Sequence, residues 1–170
     1  MKNLFVFIFI AVLTFSLTTA CAQNQVVGSK KYITKKVNVE NFNHIAIIGS
    51  ANVIYTQTSG GNPELEIYGS DNIVPLLETT VEQNTLAIKY KKNTRIRNTG
   101  KLEVRVSAPN VESMKITGSG DISIPKGMSS SALTLKVTGS GDINGKKIKC
   151  NELGISVSGS GDIKLTEVKS

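Results

Sequence analysis

Gly118-Ser119-Gly120-Asp121-Ile122 is followed by the same five residues from Gly139 to Ile143 and again from Gly159 to Ile163. The steps are 21 and 20 residues. Self-similarity at a fixed period of this length marks one supersecondary unit stacked on copies of itself. The flanks repeat with it. Ile116, Val137 and Val157 stand two residues before the first glycine, and Ile122, Ile143 and Ile163 stand four beyond it. Each unit therefore predicts a short strand, a tight glycine turn and a second short strand.

The turn chemistry follows from the residue types. Glycine reaches positive φ at almost no steric cost, and Ser and Asp side chains bond nearby backbone N–H groups. Gly118, Ser119, Gly120 and Asp121, then Gly139, Ser140, Gly141 and Asp142, then Gly159, Ser160, Gly161 and Asp162 read as structural turns. Leu133 to Val137 and Leu153 to Val157 alternate apolar with polar or small residues, so one side of each strand points into a narrow core. The prediction is an all-β solenoid with coils of about 20 residues stacked near the usual strand spacing of about 4.8 Å. In that arrangement Ile143 is a core residue and Lys136 faces solvent.

Two earlier stretches share the frame. Ile47 to Val53 carries Gly49-Ser50-Ala51-Asn52, and Ile67 to Ile73 carries Gly69-Ser70-Asp71-Asn72. From Gly69 to Gly118 the step is 49 residues, which predicts an insertion. Leu86, Ile88 and Tyr90 alternate with other residues, as do Leu102, Val104 and Val106, around a polar basic segment. The reading is a hairpin inserted at about 85–107, in the N-terminal half of the repeats' domain. Val74 to Leu77, with Pro75, is the one expected helical turn.

The first residues belong to another class. Lys2 supplies a positive start, Leu4 to Leu17 is almost wholly apolar, and Thr18-Thr19-Ala20-Cys21-Ala22 follows. Residues 1–22 read as a secretory signal peptide, too short for a membrane span. Two cleavage routes are open. A small-x-small site at Ala20-Cys21-Ala22 frees Gln23, and this is the preferred route; a lipobox reading leaves a lipidated Cys21. Either way Cys150 is the one ordinary cysteine, so no internal disulfide is expected. Residues 23–43 read as a polar tether leading into a first strand, and 44–170 as a single domain. The chain's net charge of +7 favours an anionic neighbour.

With the leader, the Phe42-Asn43-His44-Ile45 segment, the Ala108-Pro109-Asn110 break and the Gly-Ser-Gly-Asp repeats in place, residues 42–168 resemble a known family. It is the putative auto-transporter adhesin head domain, or GIN domain, common in exported proteins of Gram-negative bacteria. The resemblance implies a right-handed parallel β-helix and an adhesin role inferred from fold and export. It carries no catalytic residues. Members of the family often run on through further Gly-Ser-Gly coils.

Three groups of residues invite chemistry. Asp121, Asp142 and Asp162 form a potential column that could hold Ca²⁺, but calcium takes six to eight oxygens. The plainer reading, which Asn52 and Asn72 support, is that each Asp bonds its own turn. Lys89, Lys91, Lys92, Arg95, Arg97, Lys101 and Arg105 lie on or beside one loop, a contact for an anionic ligand or else a solvated strand edge. No aromatic residue interleaves with that loop, so no nucleic acid is expected. Glu64 and Glu66 share a face without an obvious partner, His44 starts a strand, and Cys150 fills a small-residue slot beside Ser130.

The reading is an exported protein without catalysis or cofactor, in the periplasm, on the outer-membrane surface or secreted, acting as an adhesin-like interaction module. Its expected partner is an extracellular polysaccharide or another envelope component, with membrane contact only through a lipid anchor. A carbohydrate-active enzyme on a β-helix and a self-associating envelope component are the alternatives. For the last, the final coil offers Ile163, Leu165 and Val168, guarded only by Lys164, Glu167 and Lys169, which predicts weak self-association through that edge.

Overall fold

The computed structural model describes residues 24–97 and 100–169. The leader read over residues 1–22, with Cys21, lies outside the described residues. The fold is all-β, with one 3₁₀ turn at Val74–Leu76 that holds Pro75 in its first turn, at the position the sequence predicts.

Two sheets carry the architecture, and the chain alternates between them. β3 (His44–Gly49), β10 (Ser113–Gly118), β12 (Met128–Gly139) and β14 (Ile148–Gly159) lie in the first sheet. Each is followed by a strand of the second: β4 (Val53–Gln57), β11 (Ile122–Ile124), β13 (Ile143–Lys146) and β15 (Ile163–Thr166). All these neighbours pair in parallel, and the repeats set the register. Gly49, Gly118, Gly139 and Gly159 stand in one column, and Val53, Ile122, Ile143 and Ile163 in another. Each pair of consecutive strands is one rung.

The turns explain why glycine recurs. Gly49, Gly118, Gly139 and Gly159 have φ between +115° and +130°, the left-handed side where L side chains are strained. The carbonyl of each of the first three accepts two N–H groups from the rung above. Ser140 and Gly141 bond Gly118 O at 2.9 and 3.2 Å, and Ser160 and Gly161 bond Gly139 O at 2.9 and 3.1 Å. A Cβ on Gly120, Gly141 or Gly161 would strike the carbonyl of the rung below. Ala51 holds that place in the lowest copy, where no further copy of the turn lies beneath.

The hairpin expected at 85–107 does not form. β7 (Thr85–Tyr90) and β9 (Glu103–Ala108) lie in different sheets, β7 parallel to β3 and β9 parallel to β4. Together they make a rung beneath β3 and β4, with Leu86, Ile88, Val104 and Val106 fully buried. Alternation identified both strands; it could not name their partners, which are tens of residues away in the chain. The hairpin in this region is instead β6 (Leu77–Glu82) with β7, closed by Gln83 and Asn84 at φ 48° and 59°. Two positive φ values make the tight turn that matches strand twist, and Gln at the first of them hides the usual Asn-Gly signal.

Two other readings change. Gly69 lies inside β5 (Glu64–Ser70), antiparallel to β9, so this copy of the phrase stands outside the stack. Its Ser70, Asp71 and Asn72 fasten the N-terminal segment: Ser70 Oγ donates to Ser29 O at 2.8 Å, Ser29 Oγ to Asp71 Oδ1 at 2.6 Å, and Asn72 Nδ2 to Val27 O at 2.8 Å. Residues 23–43 are accordingly no tether where described. β1 (Asn24–Val27) pairs with β8 (Thr94–Arg97), and β2 (Tyr32–Asn38) pairs antiparallel with β5 at the sheet edge. The sequence understated this because the edge strand half-buries only Ile33 and Val37.

The two ends of the stack differ. β2, β5 and β6 flank the β7–β9 rung, and Tyr55, whose hydroxyl donates to Ala108 O at 2.9 Å, is wholly buried. At the other end Leu153, Ile155 and Val157 align with buried Leu133, Leu135 and Val137, yet stay 36%, 52% and 43% exposed. Ile163 and Leu165 pack partly against the core, while Val168, which the sequence groups with them, is exposed.

Ile143, fully buried between Ile122 and Ile163, and Ile155 therefore separate a covered rung from an open one. In denaturant unfolding, Ile143→Ala should cost about 2–5 kcal/mol. Ile155→Ala should cost about 1 kcal/mol or less, and Lys136→Ala about half that or less. Equal losses for the two isoleucines would mean that the last rung is covered.

Candidate functional surfaces

The Asp column is a ladder between rungs. Asp121 N–H donates to Asn52 Oδ1 at 3.1 Å, Asp142 N–H to Asp121 Oδ1 at 2.9 Å, and Asp162 N–H to Asp142 Oδ1 at 2.8 Å. The side chains of Asn52, Asp121 and Asp142 thus accept from the next rung and not, as the sequence reading had it, from their own turns. In-register parallel stacking brings the next copy's N–H within hydrogen-bond reach, which the spacing alone does not reveal. Among the described residues, no group of three or more His, Cys, Asp or Glu is arranged to hold a metal ion.

The basic loop divides in two. Lys101 Nζ lies 3.1 Å from Glu103 Oε2, and Arg105 bridges Glu103 Oε1 at 2.7 Å and Glu66 Oε1 at 2.8 Å. Glu66, which the sequence left without a partner, has one because β5 and β9 set it directly opposite Arg105. Lys101 also stands over the Tyr68 ring, which stacks on Tyr32 with centroids 5.5 Å apart. Lys89 faces Glu78 across the hairpin. Lys91, Lys92, Arg95 and Arg97 remain exposed, with the two arginines on one side of β8. The seven charges therefore do not converge on one site.

Burial pushes the Glu103 carboxyl up, and the hydrogen bonds and charges of Lys101 and Arg105 outweigh it, holding the group below the ordinary glutamate range. A carboxylate so held stays ionised and is poorly suited to general-acid work.

The surface that sequence reasoning passed over is the outer side of the first sheet. Its register sets Lys115 beside Lys136, Thr117 beside Thr138, Thr138 beside Ser158, and Ser113 beside Thr134. On the neighbouring segment a parallel bridge sets Lys149 beside Lys169. The signal was available: Lys115 to Lys136 is 21 residues and Lys149 to Lys169 is 20, the period of the glycine turns. Among the described residues none of these four lysines is in an ion pair.

The family model described as "putative auto-transporter adhesin, head GIN domain" matches residues 41–167. No curated protein matches the chain. Among solved structures, a putative adhesin from Parabacteroides merdae ATCC 43184 superposes with a TM-score of 0.73 at 22% identity, over 83% of this chain and 58% of that one. The chain thus spans little more than half of that relative. A putative adhesin from Bacteroides fragilis NCTC 9343 gives 0.57 at 23%, over 82% of this chain and 99% of that one. A putative lipid binding protein from Parabacteroides distasonis ATCC 8503 gives 0.63 at 19%, over 82% and 76%. At these identities the likeness concerns the fold.

Glu103 yields an acid-side prediction. Its folded value is depressed, so its contribution is fully present above the ordinary glutamate pKa of about 4.3 and is lost as pH falls through the depressed value. Glu103→Gln should cost about 1–3 kcal/mol at neutral pH and flatten the decline of stability below about pH 4.3. Chemical unfolding of both proteins across the acid range checks this; parallel declines would show that the carboxylate is not held ionised.

Proposed function

The chain belongs to the auto-transporter adhesin head GIN-domain family, and from that premise we propose that it is an exported, non-catalytic interaction module of the cell envelope. We read its two sheets as walls of a right-handed parallel β-helix, supported by the strict alternation of β3–β4, β10–β11, β12–β13 and β14–β15 between them. The observation that carries the functional reading is the outer side of the first sheet. Threonine, serine and lysine recur there in columns at the strand spacing, an open repeating surface suited to an extended polymer rather than an enclosed small molecule. The partner is then an extracellular polysaccharide or another envelope polymer. The carbohydrate-active enzyme is less well supported, because Glu66 and Glu103 are both engaged by Arg105. Export rests on the leader, with Cys21 or the Ala22 cut deciding between a lipid anchor and release.

Panel binding tests this directly. The mature protein should be retained by at least one immobilised envelope polysaccharide without shortening it. Chain cleavage would transfer the protein to the enzyme class, and no retention on any polymer would remove the interaction reading.

The open rung favours a second reading, self-association. If β14 pairs antiparallel with its counterpart about Ile155, Leu153 meets Val157, Ile155 meets Ile155 and Glu152 meets Ser158. Apolar then faces apolar, no like charges meet, and a free strand edge is satisfied. Sedimentation velocity should show concentration-dependent association that Ile155→Lys abolishes; a monomer at every concentration would discard this reading.

A further inference from the structure

The ladder between β12 and β14 is interrupted near their starts. The register runs Met128↔Ile148, Ser129↔Lys149 and Ser130↔Cys150, passes over Ser131 and Asn151, and resumes at Ala132↔Glu152. At this interruption lies a cleft of about 590 Å³ lined by Asn110, Ser129, Ser131, Lys149, Asn151 and Lys169, with buried Cys150 in its wall. Cys150 N–H donates to Lys169 O at 3.0 Å, which ties the last lysine to the rung below. Gln57 fixes the rim: its Nε2 donates to Ser129 O and its Oε1 accepts from Ser129 N–H, both at 2.7 Å.

We propose that this cleft binds an acidic sugar, with Lys149 and Lys169 holding its anionic group. The proposal rests on the interaction-module reading and adds to it a site and a ligand class. Ser129, Lys149 and Lys169 form one column, so the two ammonium groups leave neighbouring strands on the same side. Like charges in adjacent register positions repel, and an anion between them removes that cost while gaining charge-assisted hydrogen bonds. No carboxylate is among the described residues lining the cleft, and neither lysine is in an ion pair within the described chain. The rest of the lining is hydroxyl and amide, groups that both donate and accept, as ring hydroxyls require. No aromatic ring lines the cleft to stack on a neutral sugar face, so charge must supply the anchor. The cleft is open to solvent rather than enclosing, as a site on a continuing polymer must be.

Titration calorimetry at low salt, with a uronate oligosaccharide and a sulfated oligosaccharide as probes, tests the site and tells carboxylate from sulfate. The full mature protein should bind at least one of them, more weakly as salt rises. Lys149→Ala with Lys169→Ala should weaken binding about tenfold or more. Lys30→Ala with Lys35→Ala removes the same charge from exposed positions at the start of the chain, and should change affinity by about twofold or less. Equal weakening by the two double variants would mean attraction by net charge alone and overturn the cleft. So would undiminished binding by the first variant, or no binding of either probe. If neither acidic probe binds but a neutral polysaccharide retains all three proteins, the cleft falls and the interaction module stands.

Discussion

A glycine carbonyl that accepts two N–H groups from the rung above is the contact on which this protein's regularity depends. It needs positive φ at the first glycine of each copy and no side chain at the second, because a Cβ there would meet the carbonyl below. Once those conditions hold, every strand leaving the turn starts at the same height and phase as its neighbour. The inward column Ile122, Ile143, Ile163 and the outward column Lys115, Lys136 are consequences of the turn, not independent features. The Asp side chains reinforce it by accepting the N–H of the next copy.

That strictness gives the molecule its functional character. In-register parallel stacking multiplies whatever one rung displays, so a single lysine becomes a pair and a single threonine becomes a column. On an inward position the multiplication makes aliphatic columns such as Ile116–Val137 and Ile122–Ile143. On an outward position it makes a repeating polar surface, and beside the interrupted ladder of β12 and β14 it sets two lysines side by side at a cleft. The unlike ends follow too: strands antiparallel to the stack flank the lower rung, whereas the upper rung keeps the parallel pattern and leaves Leu153, Ile155 and Val157 half exposed.

Much of this was legible because the repeats are nearly exact in spacing. The strands, the apolar columns from Ile116 to Val137 and the slot shared by Ser130 and Cys150 follow from period and alternation. What was not legible was the partner of each strand outside the repeats. Leu86 to Tyr90 and Leu102 to Val106 read as two strands near in sequence, and near strands suggest a hairpin. Their partners are β3 and β4, fixed by burying Ile45, Ile47, Val53 and Tyr55. Gly69-Ser70-Asp71-Asn72 imitates the repeat in letters, but β5 runs antiparallel there and its polar side chains hold the N-terminal segment. The lysine pairs were missed for a different reason. Apolar residues and glycines announce the period by their kind, whereas the lysines that obey it equally are scattered among many others.

Native-state hydrogen exchange at the turn amides tests the central claim most directly. Ser140 and Gly141 lie in a short surface turn, where amides ordinarily exchange through local fluctuations. If the Gly118 carbonyl holds both, they exchange as slowly as the neighbouring strand amides of Leu135 and Val137, and Ser119, Gly120, Ser160 and Gly161 behave alike. Rapid exchange at Ser140 and Gly141, at the pace of the Gly60-Gly61 loop, would contradict the account: the rungs would then be held by their strand ladders and cores, without the turns.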